Sequence, residues 1–247
     1  MKLEDTIRSA FLRRLVSTPR GRAHVLNLAA EAEDSDEAAI FDQLLSKVDD
    51  PELQKMIRIH RDDETRHGAM FRACVERTGV DPGPVPEQLK LIDRINEKLG
   101  GFFEQGIQDE RHVMEAYALL FVVEQRAIEQ FPAMEAAFRR HDPETADTFA
   151  AIARDEERHL KYCKAIGKRY AADEKEWLRA VRKYRAVESE AFAENSRANI
   201  EYAIETGVLR LRPLERLALR AVNALASLRA RHAEPHQRRA PAAAGAR

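Results

Sequence analysis

The sequence predicts an all-α protein, and three observations carry that prediction. Charged residues make up 34% of the 247-residue chain, against only 10 Gly and 10 Pro. Ala, Leu, Glu and Arg, all strong helix formers, dominate. Apolar residues recur at spacings of three and four, and alternating β-branched runs are missing.

The elements follow in chain order. Residues 1–20 form a basic amphipathic segment, with Ile7, Phe11, Leu12, Leu15 and Val16 on one side among several Arg. A helix is expected over about 22–48. The next opens at Asp50-Pro51-Glu52-Leu53, with Pro in the first turn, and runs to about 77. GVDPGPVP at 79–86 breaks the helical pattern. The stretch 87–110, which contains Gly100-Gly101, reads as a partly helical connection. Helices follow over about 108–140, 142–171 (opening at Asp142-Pro143-Glu144-Thr145) and 173–205. A short basic amphipathic helix is expected at 213–231, and a disordered tail over 233–247. By domain, 1–21 is an N-terminal segment, 22–171 a bundle of two helical hairpins joined by a long crossover, and 172–232 a helical extension.

Composition excludes several functions. The net charge of −1 gives no global attraction to nucleic acid, although the stretch from Leu209 to Arg247 holds nine Arg against two Glu. Two cysteines, Cys74 and Cys163, cannot build a disulfide framework. The N-terminal stretch lacks the apolar run of a signal peptide. No apolar stretch approaches the roughly 18 residues that span a bilayer. A cytoplasmic setting is expected, and the basic terminal helices would allow peripheral membrane contact.

One string is written twice. Asp63-Glu64-Thr65-Arg66-His67 and Asp155-Glu156-Glu157-Arg158-His159 share the pattern D-E-x-R-H, 92 positions apart. In each case the motif Glu stands 13 residues after the Pro of the preceding turn, Pro51 or Pro143, so turn, helix and motif repeat together. Stepping by threes and fours along the first helix gives Leu53, Ile57, His60, Glu64, His67, Phe71 and Cys74. The second gives Phe149, Ile152, Glu156, His159, Cys163 and Ile166. The motif Glu and His therefore interrupt apolar stripes and point into the core. The helix over 108–140 carries one acid on its stripe, Glu124, among Val113, Tyr117, Leu120, Ala127, Phe131, Met134 and Phe138; Glu129 falls on its polar side.

The helix over 22–48 offers Glu33 and Glu37 on the stripe Leu26, Ala30, Glu33, Glu37, Ile40, Leu44. Glu124 precedes Glu156 by 32 residues and Glu33 precedes Glu64 by 31, whereas Glu37 is only 27 away. Glu33 is the choice, with Glu37 and Glu31 in reserve. Four buried carboxylates would repel one another and be costly to desolvate. Two divalent metals balance their charge, two neutral His complete the shell, and oxygen plus imidazole suits iron or manganese. The bland alternative is a set of buried salt bridges using Arg66 and Arg158. His60 on the stripe is first a hydrogen-bonded core histidine and second an additional ligand. Tyr117 and Tyr162 read as packing before radical chemistry, and the two Cys as small apolar fillers.

Glu33, Glu64-x-x-His67, Glu124 and Glu156-x-x-His159 together resemble the ferritin-like di-iron carboxylate proteins, over residues 22–171. The resemblance implies a four-helix bundle of two antiparallel hairpins holding two iron ions, or manganese or a mixed pair. It implies that Glu64 and Glu156 bridge, with Glu33 and His67 on one metal and Glu124 and His159 on the other. It also implies that Asp63 with Arg66, and Asp155 with Arg158, orient the ligand histidines. Local strings such as EAEDSDEAAIF, FRACVERTGV and Lys161-Tyr162-Cys163 resemble the aldehyde-deformylating oxygenases, from which the chain departs in its helix at 173–205 and its basic end.

The expected function is an O2-activating oxidase or oxygenase. Its partners would be O2, an electron donor and a small or lipid-like organic substrate, with homo-oligomerisation open. A ferroxidase or peroxide scavenger of bacterioferritin or rubrerythrin type would use the same cage, although the chain has no Cys-x-x-Cys pair. A non-enzymatic helical interaction protein is the third reading.

Overall fold

The computed structural model describes residues 3–33, 37–215 and 217, with the side chains of 3–8 and 37–39 left out of the description. Among these residues there is helix and connection and no strand. The helices are α1 (Leu3–Leu15), α2 (Pro19–Glu33), α3 (Glu37–Leu45), α4 (Pro51–Arg77), α5 (Leu91–Lys98), α6 (Phe102–Gln105), α7 (Glu110–Phe138), α8 (Pro143–Tyr170) and α9 (Glu174–Glu205). A single 3-10 turn, Glu87–Leu89, precedes α5.

Four helix starts have one cause. Asp50, Asp109, Asp142 and Asp173 each turn a carboxylate oxygen onto a first-turn backbone N–H, at 2.9, 2.9, 3.1 and 2.7 Å. Each satisfies a donor that the helix itself leaves unpaired. In α4 and α8 the next residue is Pro, whose missing N–H costs nothing there.

The N-terminal boundary differs from the expected one. α1 ends at Leu15, and Thr18 Oγ1 accepts from Gly21 N at 3.0 Å, so that α2 opens at Pro19 rather than at 22. A Cβ on Gly21 would lie 1.8 Å from the Leu15 carbonyl oxygen, so only glycine lets these two helix ends close up. The helix expected over 22–48 is recorded as α2 and α3, with 34–36 between them outside the described residues.

The packing runs are legible from side chains. Leu26 of α2 shares a cluster with Phe71 of α4, while Phe41 of α3 packs on His60, ring centres 4.7 Å apart, so this pair is antiparallel. α7 and α8 are also antiparallel: Phe138 meets Phe149 at 5.5 Å beside their turn, and Tyr117 clusters with Cys163 and Ile166 at the far end. α4 and α7 run parallel, since His60 meets Glu124 at one level and Phe71 meets Phe131 a few turns on. The connection through α5 and α6 carries the chain back between them.

Two apolar layers result. One holds Leu26, Phe71, Phe131, Phe138, Phe149 and Ile152; the other holds Ile40, Phe41, Ile57, Tyr117, Leu120 and Ile166. Between them lies a polar layer of buried His60, Glu64, His67, Glu124, Glu156 and His159. Outside the core, α9 packs on α7 and α5 through Trp177, Val181, Tyr184 and Ala191. The Trp177 ring covers Gly167, where a Cβ would come within 2.1 Å of it.

α1 turns Leu12 and Leu15 onto the first apolar layer, joined by Val16 just past its end, and Phe11 onto Ala203 and Leu209. Its apolar side is thus used within the protein. Of the helix expected at 213–231, the structure describes only 213–215 and 217, where Leu214 and Leu217 are exposed and Glu215 pairs with Arg14 at 2.6 Å. Its remainder and the tail at 233–247 lie outside the described residues. No helix among the described residues is long and apolar enough to cross a membrane.

Candidate metal centre

All six residues singled out as ligands meet in the polar layer, and His60 joins them. Their donor atoms form two groups, each with all atoms within 4.8 Å: Glu33, Glu64, His67 and Glu156, and His60, Glu64, Glu124 and His159. Glu64 belongs to both. Glu156 spans the two as well, with Oε1 3.3 Å from His67 Nδ1 and Oε2 3.0 Å from His159 Nδ1.

Glu33 reaches this layer from the last turn of α2, with Oε2 3.5 Å from His67 Nδ1. Glu31, held in reserve, pairs instead with Lys90 at 3.3 Å. The Glu37 side chain lies outside the described residues.

The aspartates and arginines form a crossed brace. Asp63 Oδ2 accepts from His159 Nε2 at 3.1 Å, and Asp155 Oδ2 accepts from His67 Nε2 at 3.3 Å. Each Asp therefore holds the histidine of the opposite motif, because antiparallel α4 and α8 bring 63 beside 159 and 67 beside 155. Arg66 donates to both aspartates at 2.6 and 2.8 Å, and Arg158 donates to both at 2.6 and 2.8 Å. With Nε2–H assigned to each Asp, both Nδ1 atoms face the carboxylates.

Electrostatics make the layer uneven. Burial and the neighbouring Glu156 and Glu64 push Glu124 well above the usual carboxylate range. Glu64 is held well below it: His159 and His60 overcome its burial. Glu156 is held down to about 2, since contacts with Glu124, His159 and His67 outweigh burial. His159 resists its burial and is raised to about 10 by Glu156 and Glu64. His60 is lowered, chiefly by burial. Arg66, Arg158 and His67 outweigh burial at Asp155 and hold it well below the ordinary range.

The donor set fits divalent cations. His67 Nδ1 and Glu64 Oε1 are buried and have no aligned hydrogen-bond partner. Glu64 Oε1 lies 3.2 Å from His60 Nε2 and 3.1 Å from His159 Nδ1, close but out of line for hydrogen bonds. Buried groups of this kind are normally satisfied, and a cation among oxygen and imidazole donors satisfies them together. The buried His and Glu residues can hold metal.

A cavity of about 760 Å³ reaches Glu33, Glu64, Glu124 and Glu156 from the side of α1, α2, α7 and α9. Its walls include Leu12, Leu28, Val123, Ala127, Met134 and Phe192. Beside it, buried Glu188 of α9 accepts from Arg126 Nε at 2.8 Å and from Nη2 at 2.9 Å. The sequence reading singled out neither Arg126 nor Glu188. The stripe Trp177, Val181, Tyr184, Glu188, Ala191, Asn195 has the same three-four rhythm, and stepping along α9 would have found it.

Cys74 and Cys163 are buried and not disulfide-bonded, one in each apolar layer. Tyr117 is fully buried in the second layer, its hydroxyl without a hydrogen-bond partner. The chain matches no protein-family model, and comparison with curated proteins and with solved structures finds no match.

Proposed function

We propose that this protein is a ferritin-like di-metal carboxylate oxidoreductase that binds two iron ions, or manganese or a mixed pair, and oxidises an organic substrate with O2. One observation carries the reading: two donor groups share Glu64, and each motif histidine, His67 and His159, is fixed from behind by the aspartate of the other motif. A set of structural salt bridges needs no such second support. The order of helices supports a ferritin-like bundle, with α2–α3 against α4, α7 against α8, and a crossover that sets α4 and α7 parallel.

In this reading Glu33 and His67 would hold one metal and Glu124 and His159 the other, with Glu64 and Glu156 within reach of both donor groups. Bound iron would supply the redox chemistry with O2, drawing on an electron donor. The chain supplies the rest. Asp63 and Asp155 fix the histidine tautomers, the two arginines fix the aspartates, and the two apolar layers exclude water. The cavity reaching four of the carboxylates gives an organic molecule a path to them, which favours substrate oxidation over iron storage or peroxide scavenging.

The test is metal content and O2 reactivity of anaerobically iron-loaded protein, beside Glu156→Ala. About two irons per chain and a transient absorption on O2 exposure that the variant lacks are expected. A wild-type chain that retains neither iron nor manganese overturns the proposal.

A further inference from the structure

We infer that the molecule admitted to the cavity beside the carboxylate cage is electrically neutral and mainly apolar, carrying at most an uncharged polar group such as a hydroxyl, carbonyl or amide. The inference rests on the oxidoreductase reading above, because it treats the cavity as the route to that centre.

Position comes first. The cavity ends on Glu33, Glu64, Glu124 and Glu156, so an occupant lies against the groups proposed to hold metal. Its volume, about 760 Å³, lies within the roughly 300–1,000 Å³ that enclose small organic ligands. The walls are aliphatic and aromatic: Leu12 of α1, Leu28 of α2, Val123, Ala127 and Met134 of α7, and Phe192 of α9. An apolar body gains from leaving water for such a surface.

Charge decides the rest. Two cationic side chains line the cavity among the described residues, and both are matched. Arg126 directs Nε and Nη2 to Glu188, and Nη1 to Glu129 at 3.2 Å. Its guanidinium also lies 4.3 Å from the centre of the Phe192 ring. Lys90 stands 2.9 Å from Glu87, 3.3 Å from Glu31 and 3.9 Å from Asp93. An anionic headgroup would have to break one of these sets, and Glu31, Asp93 and Glu129 also line the cavity. At the inner end, two divalent metals would balance the four glutamates, leaving no excess charge to attract an ionic substrate of either sign.

Neutral polar groups complete the lining. His24 stacks on Tyr202 at 5.7 Å, and burial keeps its imidazole uncharged near neutrality. Asn195 donates to the Leu89 carbonyl at 2.9 Å, and the neighbouring Asn199 has a buried Oδ1 without a partner. These are acceptors and donors for a hydroxyl or amide, not for an ion.

The test uses a matched pair of probes, 1-decanol and decanoate, titrated calorimetrically into metal-loaded full-length protein. Decanol is expected to bind at least about tenfold more tightly than decanoate. Ala127→Phe and Ala29→Phe place a ring in the cavity one turn from Glu124 and from Glu33. Each should weaken decanol by about tenfold or more while metal content stays at the wild-type value. Equal or tighter binding of decanoate overturns the inference, as does failure of decanol to bind the metal-loaded wild type. Unchanged decanol affinity in both variants, with metal retained, also overturns it. Retained metal without decanol binding removes only the substrate inference, whereas a wild-type chain that holds no metal removes the underlying function.

Discussion

Loading this centre with divalent metal at pH 7 should expel at least about one proton per chain. In the metal-free site His159 holds a proton that metal must displace. His159 is raised to about 10, with Glu156 and Glu64 outweighing its burial. Glu124 is pushed well above the usual range by burial and by the same two carboxylates. Glu64 and Glu156 are already ionised, and His60 is already neutral, so they contribute none. The sign follows directly. Protons and metal compete for the same lone pairs, so affinity rises with pH while His159 is protonated in the free protein, and levels off above its raised pKa, with Glu124 adding to the rise at the acid end. Each proton is worth about 1.4 kcal/mol per pH unit, so loading becomes at least about 1.4 kcal/mol more favourable per unit between pH 6 and 8. Calorimetric titration with Mn(II), in buffers of different ionisation enthalpy, counts the protons. A count of zero at pH 7, with loading independent of pH from 6 to 8, would refute the assignment of His159 as a ligand.

Asp155→Asn should lower metal affinity about 10–100-fold, measured by chelator competition, because His67 Nε2 loses its carboxylate and both arginines lose one anchor. An unchanged affinity would mean that the crossed brace does not support the site. Gly167→Ala should cost about 1–3 kcal/mol through overpacking against Trp177, with the melting midpoint falling roughly 2–4 °C per kcal/mol and metal content at low temperature unchanged. A midpoint within error of wild type would show that α9 yields at this contact. His60→Ala should weaken one of the two metal-binding steps and spare the other, seen as a separation of steps in the Mn(II) titration; equal weakening of both steps, or of neither, would return His60 to a packing role.

The sequence reading was strongest where one helix carries the whole signal. On α4 and α8 the three-four stripes separated the buried positions from the exposed ones, so Ile57, His60, Glu64, His67, Phe71 and Cys74 are all interior, as are Ile152, Glu156, His159 and Cys163. Asp-Pro-Glu placed both helix starts because cap and proline act locally. The α2 acid was harder, since Glu33 and Glu37 lie on one stripe and only spacing to Glu64 separated them. The crossed pairing of Asp63 with His159 could not be read from either motif, because a motif specifies neighbours on its own helix and not the residue opposite. The cavity was invisible for a related reason: it is the gap left among four helices, and no single helix encodes it.

The doubled motif implies two equivalent half-sites, yet the structure makes them unequal through a single position. One turn before Glu64 stands His60; the corresponding residue before Glu156 is Ile152, fully buried in the apolar layer. His60 Nε2 lies 2.7 Å from Glu124 Oε1, and its ring stacks on His159 at 4.0 Å. The group on that side thus has two imidazoles and two carboxylates, and the other has one imidazole and three carboxylates. With Glu64 and Glu156 reaching both groups, the extra imidazole is what would favour a softer metal on the His60 side, and the oxygen-richer group would favour a harder one opposite. His60 also differs from His67 and His159 in having no aspartate behind it: its Nδ1 is unpaired, and Phe41 packs against its ring. A ligand held only by packing can tilt where a braced one cannot. The brace therefore keeps the symmetric part of the cage rigid, while the His60 side, where Glu124 also carries a carboxyl pushed up by burial, is where a change of coordination would cost least.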